Sequence, residues 1–453
     1  MKFGGTSVAD PEAIERVAAI VRRQMQAGGP APVVVVSALS KVTDRLIAAA
    51  RAAETGSGDE AAANLGELLD RHRSVASSLT SGAPQAVLLA QVQAELEALI
   101  GLVRALAVLR EVSPRSLDAV VAAGELISSR IVTAALAGRG IPAAWVDSRT
   151  VLVTDAEHMA AAPDMEATCT RVRERVAPLR AAGQVAVLGG FIGATASGIT
   201  TTLGRGGSDY SAAIFGACLG VDEIQIWTDV DGMLTADPRV VPRPRLVPRL
   251  TFAEASELAY FGAKVLHPAT ILPAVARNIP VRILNSHQPG NPGTTIASAA
   301  GPPEGQFTAL ACKRGLTVID ITSSRMLNAY GFLRRLFEVF ERFRTSVDVV
   351  TTSEISVSVT VDDARQLDAI VESLRQFADV SSEGDMALIS AVGENLHEDP
   401  TLFGRAVTSL GRIPIRLVSQ AASRRNITFV LRDADVPEAM TRLHDRFFGA
   451  ASS

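Results

Sequence analysis

Cysteine is scarce in this chain of 453 residues: only Cys169, Cys218 and Cys312 occur. They are odd in number and widely spaced, which argues against a disulfide framework and against a cysteine-rich zinc site, and fits a reducing cytoplasm. Aromatic residues make up 4%, and the six histidines form no close pair, so no HExxH-type site or other metal-ligating cluster is legible. A basic excess is also missing. Lys and Arg total 44 against 48 Asp and Glu, a formal net charge of −4, and without a basic face nothing points to nucleic acid. No GxxxxGK[ST] segment occurs, which excludes a P-loop NTPase, and no GxGxxG opens a helix, which removes the dinucleotide fingerprint. No signal-peptide pattern precedes the opening MKFGGTSV. Residues 185–204 carry no charge over the length of a membrane span. Their five glycines and five Ser or Thr residues make a buried strand, VAVLGGF, and a glycine-rich loop the better reading, and no membrane partner is expected.

What is present is a large apolar fraction, 47%, in a chain long enough for two to four domains. Through residues 1–297, short β-branched runs alternate with helical ones. APVVVVSA, IPAAWVDS, QVAVLGGF, EIQIWTDV and IPVRILNS read as buried strands. PEAIERVAAIVRRQMQAGG reads as a helix, with Asp10 as N-cap, Pro11 in the first turn and Gly28 as terminator. Fully apolar strands alternating with helices imply an α/β fold with a mainly parallel sheet covered on both faces.

Residues 298–306 read as a linker, and the pattern then changes. LTVIDITS, GFLRRLFEVFERFRT, VDVVTTSE, ISVSVTVD, ARQLDAIVESLRQF and DVSSEGD spell β-α-β-β-α-β. MALISAVG through VPEAMTRLHDRFF repeats that order but lacks the last strand. FTALACKR, 307–314, is the spare segment that completes it, so the first unit (315–385) is inserted in a second made of 307–314 and 386–453.

Two segments carry chemistry. TTLGRGGSDYSA, 201–212, is too polar to bury without partners and too rich in glycine for a helix interior. Its Arg205 is a fork of donors suited to a carboxylate or phosphate, and Asp209 sits where a helix begins. KFGGTS, 2–7, places a lysine before two glycines and two hydroxyls ahead of a helix, a turn whose amides can face phosphate oxygens.

Taken in order, KFGGTSVAD, TTLGRGGSDYSA, WTDVDG…DPRVV and FGAKVLHPAT resemble the aspartate kinases of the amino-acid kinase superfamily, and the two C-terminal units resemble ACT domains. The resemblance implies a three-layer αβα sandwich over 1–297 followed by two ferredoxin-like ACT domains. It also implies transfer of the ATP γ-phosphoryl group to the side-chain carboxylate of L-aspartate, giving L-4-aspartyl phosphate. The alternatives are a kinase of glutamate or a catalytically silent amino-acid sensor. Carried over residue by residue, Lys2, Phe3, Gly4 and Gly5 meet the ATP phosphates. Thr228, Asp229, Leu234, Arg239, Lys264 and Val265 surround the nucleotide, Leu234 standing where the family commonly has a tyrosine. Arg205 clamps the α-carboxylate of aspartate and Glu125 takes its α-ammonium. Ser37, Thr43, Phe191, Gly206, Gly207 and Ser208 complete the substrate side. Asp209 organises the lysines, with an N-cap as its plain structural role. Mg²⁺ is expected as the ATP counter-ion, held by phosphates and water. The family carries apolar residues ahead of the KFGG motif where this chain has Met1 alone, so either the first strand is clipped or the true start lies upstream.

The first ACT-like unit further resembles the lysine-sensitive, monofunctional branch. Met326, Phe332, Leu333, Asp348, Ser353 and Glu354 match that branch's inhibitor-site pattern, with Ala329 in place of a serine. Asp348 and Glu354 suit the ammonium groups of lysine. Lysine is therefore the expected feedback inhibitor, with threonine the alternative, acting on a homodimer or tetramer built through the ACT units.

Overall fold

The computed structural model describes residues 1–262, 268–299, 307–323, 330–420 and 424–449. The chain forms two compact units, Met1–Met233 with Leu266–Ser298 and Leu234–Val265 with Ala299–Ser453.

The first unit opens with β1 (Lys2–Phe3), α1 (Pro11–Gln26) and β2 (Val33–Val36). Four helices follow: α2 (Val42–Glu54), α3 (Gly58–Leu79), α4 (Gly82–Leu109) and α5 (Pro114–Gly138). Next come β3 (Ala143–Val146), β4 (Val153–Thr154), α6 (Met165–Arg175), α7 (Ala177–Ala181) and β5 (Val185–Gly189). β6 (Ile192–Thr195), β7 (Thr200–Thr202), α8 (Gly207–Leu219) and β8 (Ile224–Thr228) complete this run. The chain gives β9 (Arg249–Thr251) and α9 (Phe252–Tyr260) to the second unit, then returns with α10 (Leu272–Ala276), β10 (Val281–Asn285) and β11 (Thr294–Ala297).

Every strand expected in this region forms. In space they run β3-β5-β2-β1-β8-β10-β11, parallel except for β11 against β10. β2 (VVVV) and β5 (VAVLG) are apolar on both faces and β8 (IQIWT) is mostly so, as helix cover on both sides requires. β1 lies at the centre and has only two residues, against four in β2 and five in β8, which is the expected short first strand. Chain order reverses there, since β2 follows on one side and β8 lies on the other, and in open parallel sheets ligands bind at such a reversal, beyond the strands' carboxyl ends. The charge-free stretch 185–204 is β5, β6 and β7, not a helix. α4 and α5 are long and apolar enough to cross a membrane, but most of α5 is packed inside this unit. The cap of α1 is as read, the Asp10 carboxylate accepting from the Ala13 N–H at 2.8 Å.

The reading of the cysteines needs correction. Cys169 on α6 and Cys218 on α8 form a disulfide, their Cα atoms 4.7 Å apart, and Cys312 alone is free. Their spacing of 49 residues hid a contact that exists only because α6 and α8 lie side by side.

His72 on α3 is fully buried. Its Nδ1 bonds the Leu68 carbonyl at 2.6 Å and its Nε2 has no partner. Burial pushes the imidazole pKa from 6.5 down to about 4. The unfolded chain therefore takes up a proton below pH 6.5 that the native state refuses until about pH 4, and stability falls as pH drops through that window. Replacing His72 with leucine should flatten the loss, worth about 3 kcal/mol by pH 4, as read from urea midpoints at pH 7, 5.5 and 4.

The second unit continues with β12 (Ala309–Thr322), α11 (Phe332–Arg342), β13 (Val350–Thr352), β14 (Ser356–Val361), α12 (Leu367–Arg375) and β15 (Asp379–Val392). It ends with α13 (Leu402–Leu410), β16 (Leu417–Gln420), β17 (Asn426–Arg432) and α14 (Val436–Phe448). One antiparallel sheet runs β13-β14-β12-β15-β17-β16. Sequence reading separates FTALACKR from LTVIDITS and DVSSEGD from MALISAVG, but each pair is one strand of 14 residues. β12 changes partners midway. Thr317–Thr322 pairs with β14 and with the first half of β15, whereas Ala309–Arg314 pairs only with the second half of β15, whose other edge holds β17. A register shift falls between Arg314 and Leu316, where Gly315 has φ +74°. Separate apolar cores lie under the two halves, around Leu336, Phe340 and Leu374 and around Phe429, Met440 and Leu443.

Candidate active site

The carboxyl ends of β1 and β2 open on a cleft of roughly 400 Å³. Lys2, Gly5, Ser37, Thr43, Glu125, Phe191, Gly206, Gly207, Ser208 and Asp209 all line it, so the two glycine-bearing turns, 200 residues apart in sequence, face one space.

β1 delivers its turn directly. The Gly4 N–H donates to the Trp227 carbonyl at 3.0 Å and the Ser37 N–H to the Phe3 carbonyl at 3.1 Å, which ties the turn to both neighbouring strands. A 3₁₀ turn, Gly5–Val8, then leads into α1. Phe3 departs from expectation: its ring is fully buried and stacked on Trp227, and it does not line the cleft. Lys2 Nζ lies 2.8 Å from the Asp209 carboxylate, both side chains nearly buried. Asp209 is not the helix cap. Gly206, at φ +73°, occupies that position, and Asp209, in the first turn of α8, turns its carboxylate to Lys2. Thr228, ending β8, lies beside this turn with its hydroxyl on the exposed Asp229 carboxylate.

Close packing sets the opposite wall. A Cβ on Gly207 would stand 2.7 Å from the Phe191 ring, and one on Gly190 would stand 2.7 Å from Ser208, so the entry to α8 lies directly against the end of β5. Phe191 has φ +67°, and its N–H donates to Ser211 Oγ at 2.9 Å. Arg205, between the lining glycines, is exposed and pairs with no carboxylate among the described residues. It is therefore free for a ligand and is not a structural ion pair.

Glu125 is the most unusual group. It sits mid-way along α5, 3% exposed. One carboxylate oxygen accepts from the Ala38 N–H at 3.1 Å and the other has no partner. Burial raises its pKa to about 8, opposed by that hydrogen bond and by the Lys2 charge. A carboxyl group this dry, with one vacant oxygen facing a cleft, is a receptor for a cation or a hydrogen-bond donor.

Some expected residues do not fall in this cleft. Leu234 and Arg239 belong to the second unit, where Leu234 bridges Leu246 and Arg239 forks Asp237 at 2.6 and 3.0 Å. Lys264, Val265, Met326 and Ala329 lie outside the described residues. In the second unit Phe332 and Leu333 open α11, and Ser353 and Glu354 form the exposed turn between β13 and β14. Asp348 is not an open carboxylate: its side chain is 3% exposed and holds Lys313 Nζ at 2.8 Å. Sequence reading missed the pair Asp118 and His158: Asp118 is fully buried, and it is bonded by residues of the segments flanking the Gly204–Gly207 loop. An aspartate in an otherwise apolar helix, as with Glu125, was the available signal.

A parallel sheet whose central strand ends in a lysine–glycine turn, facing a second turn with a free arginine and a dry glutamate, defines a small-molecule phosphotransferase. Residues 1–285 match the amino acid kinase family, and residues 389–447 match the ACT domain. Aspartokinase 3, chloroplastic, of Arabidopsis thaliana is 37% identical over 99% of this chain and 81% of its own. Lysine-sensitive aspartokinase 3 of Escherichia coli is 35% identical over 99% of this chain and 98% of its own. A structure of E. coli aspartokinase III in complex with aspartate and ADP superposes with a TM-score of 0.83 at 35% identity, covering 99% of both chains. The chain belongs to the amino acid kinase family, among the aspartokinases.

Proposed function

We propose that this chain transfers the γ-phosphoryl group of ATP to the side-chain carboxylate of L-aspartate, and that lysine inhibits it. The observation that carries the reading is the shared cleft, with Lys2 and the Gly4–Gly5 turn on one side and the vacant oxygen of Glu125 on the other. The relatives named for aspartate kinase activity support the same assignment. Glu125 receives the α-ammonium and Arg205 the α-carboxylate, which leaves the side-chain carboxylate directed towards Lys2. That carboxylate is ionised at neutral pH and needs no general base. Its oxygen bonds to the γ-phosphorus as the bond to the β,γ-bridging oxygen breaks, and that electron pair leaves on ADP. Lys2, held by Asp209, neutralises charge on the transferring oxygens. Mg²⁺, held mainly by phosphates and water with Asp209 as a nearby carboxylate, would neutralise the nucleotide charge. Thr228 and Asp229 do not line the cleft itself; Thr228 ends β8 beside the Gly4 turn, from where the two would meet the nucleotide. The division into a catalytic part, 1–297, and two interlocked ACT units, 315–385 and 307–314 with 386–453, belongs to the same proposal and is supported by the partner change in β12.

Incubation with ATP, hydroxylamine and either aspartate or glutamate tests the reading. Hydroxamate should form with aspartate and not with glutamate; the reverse would assign the glutamate kinase.

For lysine, Glu354 is the accessible carboxylate, since Asp348 already holds Lys313. Turnover should fall with millimolar lysine, and a Glu354→Ala variant should need about tenfold more for half-inhibition, the loss of one charge-assisted contact. Equal inhibition of parent and variant would remove Glu354 from the site, and inhibition by threonine alone would replace the inhibitor.

A further inference from the structure

Asp118 has a side chain with no exposure, seven residues before Glu125 on α5. Three donors converge on it: His158 Nδ1–H at 2.6 Å, Thr202 Oγ1–H at 2.5 Å and the Met159 N–H at 3.2 Å. All three come from the two segments bordering the Gly204–Gly207 loop. Thr202 ends β7 two residues before Gly204, and the Met159 carbonyl is so close that a Cβ on Gly204 would stand 2.9 Å from it. Met159 itself has φ +70°, a conformation uncommon outside glycine that the surrounding bonds must hold. The Ala161 N–H donates to the Thr202 carbonyl at 2.9 Å and closes the assembly.

We propose that Asp118 and His158 are positioning residues that fix Arg205 at a set distance from Glu125 and so determine affinity for α-amino acid substrates. This rests on the substrate reading given above. One rigid helix carries both the ammonium receptor and, about 10 Å away along its axis, the pin for the loop bearing the carboxylate receptor. A buried carboxylate is costly without partners, and here every partner belongs to that loop's supports.

Steady-state kinetics on the full chain test this. His158→Leu should raise the KM for aspartate about tenfold, with kcat within about threefold and the KM for ATP within about twofold of the parent. His158→Gln, which keeps a donor, should restore the aspartate KM to within about threefold. In an Arg205→Ala background, His158→Leu should change kcat/KM for aspartate less than about twofold, because the route through Arg205 is gone. Thr202→Val deletes one hydroxyl and should raise the aspartate KM about threefold even if His158→Leu fails to fold. An unchanged aspartate KM in Thr202→Val and His158→Leu, a parallel rise in both KM values, or a full penalty persisting without Arg205 overturns the proposal. If the parent shows no aspartate-dependent turnover, the substrate reading itself fails; if the parent turns over and the variants match it, only the positioning role fails.

Discussion

Glu125→Gln should yield a protein that is more stable than the parent and nearly inactive. The carboxyl group is buried with one oxygen unpartnered, and its pKa is raised from 4.5 to about 8. Between those values the native state keeps a proton that the unfolded chain has released. Glu125 therefore contributes its full stability below pH 4.5 and progressively loses it as pH rises through 8. The amide has no such loss, so the variant should gain up to about 4 kcal/mol over the parent near pH 8 and little at pH 4.5. Its Oε1 still accepts from the Ala38 N–H, but an N–H now faces the place of the substrate ammonium. We expect kcat/KM for aspartate to fall about 10²–10³-fold. The same linkage governs the parent. At pH 7 only roughly a tenth of Glu125 is ionised in the free cleft, so binding the ammonium must expel a proton. The KM for aspartate should fall as pH rises from 6.5 to 8 and then level off. Calorimetry at pH 7 in buffers of different ionisation enthalpy should register nearly one proton released per aspartate bound. No proton release and a flat KM profile would place the ammonium elsewhere.

Lys2→Met should lower kcat about 10³-fold with the aspartate KM within a few-fold of the parent, because a pre-placed cation acts on the charge of the transferring group and little on ground-state binding. The substitution keeps most of the volume and leaves the nearly buried Asp209 carboxylate without its cation. Adding Asp209→Asn should then change kcat little, since the pair acts as one unit. Arginine is no substitute for Lys2. Its planar fork cannot take the place of a compact ammonium 3.5 Å from the position of a Cβ on Gly4. A loss below tenfold, measured as ADP release at saturating aspartate, would remove Lys2 from the chemistry.

Much of this molecule is legible in its sequence, for identifiable reasons. The buried strands announce themselves because a sheet covered on both faces needs apolar side chains at nearly every position, as in VVVV of β2 and VAVL of β5. The two glycine turns are equally plain, because few other structures use so many glycines beside a lysine or an arginine. What sequence does not reveal depends on which elements lie side by side. Cys169 and Cys218 meet only because α6 and α8 pack together. Asp209 looks like a cap until the end of β1 brings Lys2 to it. Asp348 looks like an open carboxylate until β12 places Lys313 beside it. The two long strands β12 and β15 read as four because a polar, glycine-bearing middle such as KRG or EGD resembles a turn, although β12 and β15 stay paired with each other on both sides of it, across a register shift.

The placement of both substrates in one cleft is tested most directly by a crystal structure of the chain with aspartate and ADP. The ammonium of aspartate should lie within hydrogen-bond distance of the now vacant Glu125 oxygen, its α-carboxylate on the Arg205 guanidinium, and the ADP phosphates over the Gly4–Gly5 turn beside Lys2. Aspartate bound away from Glu125, or a nucleotide outside the space between the two glycine turns, would contradict the assignment.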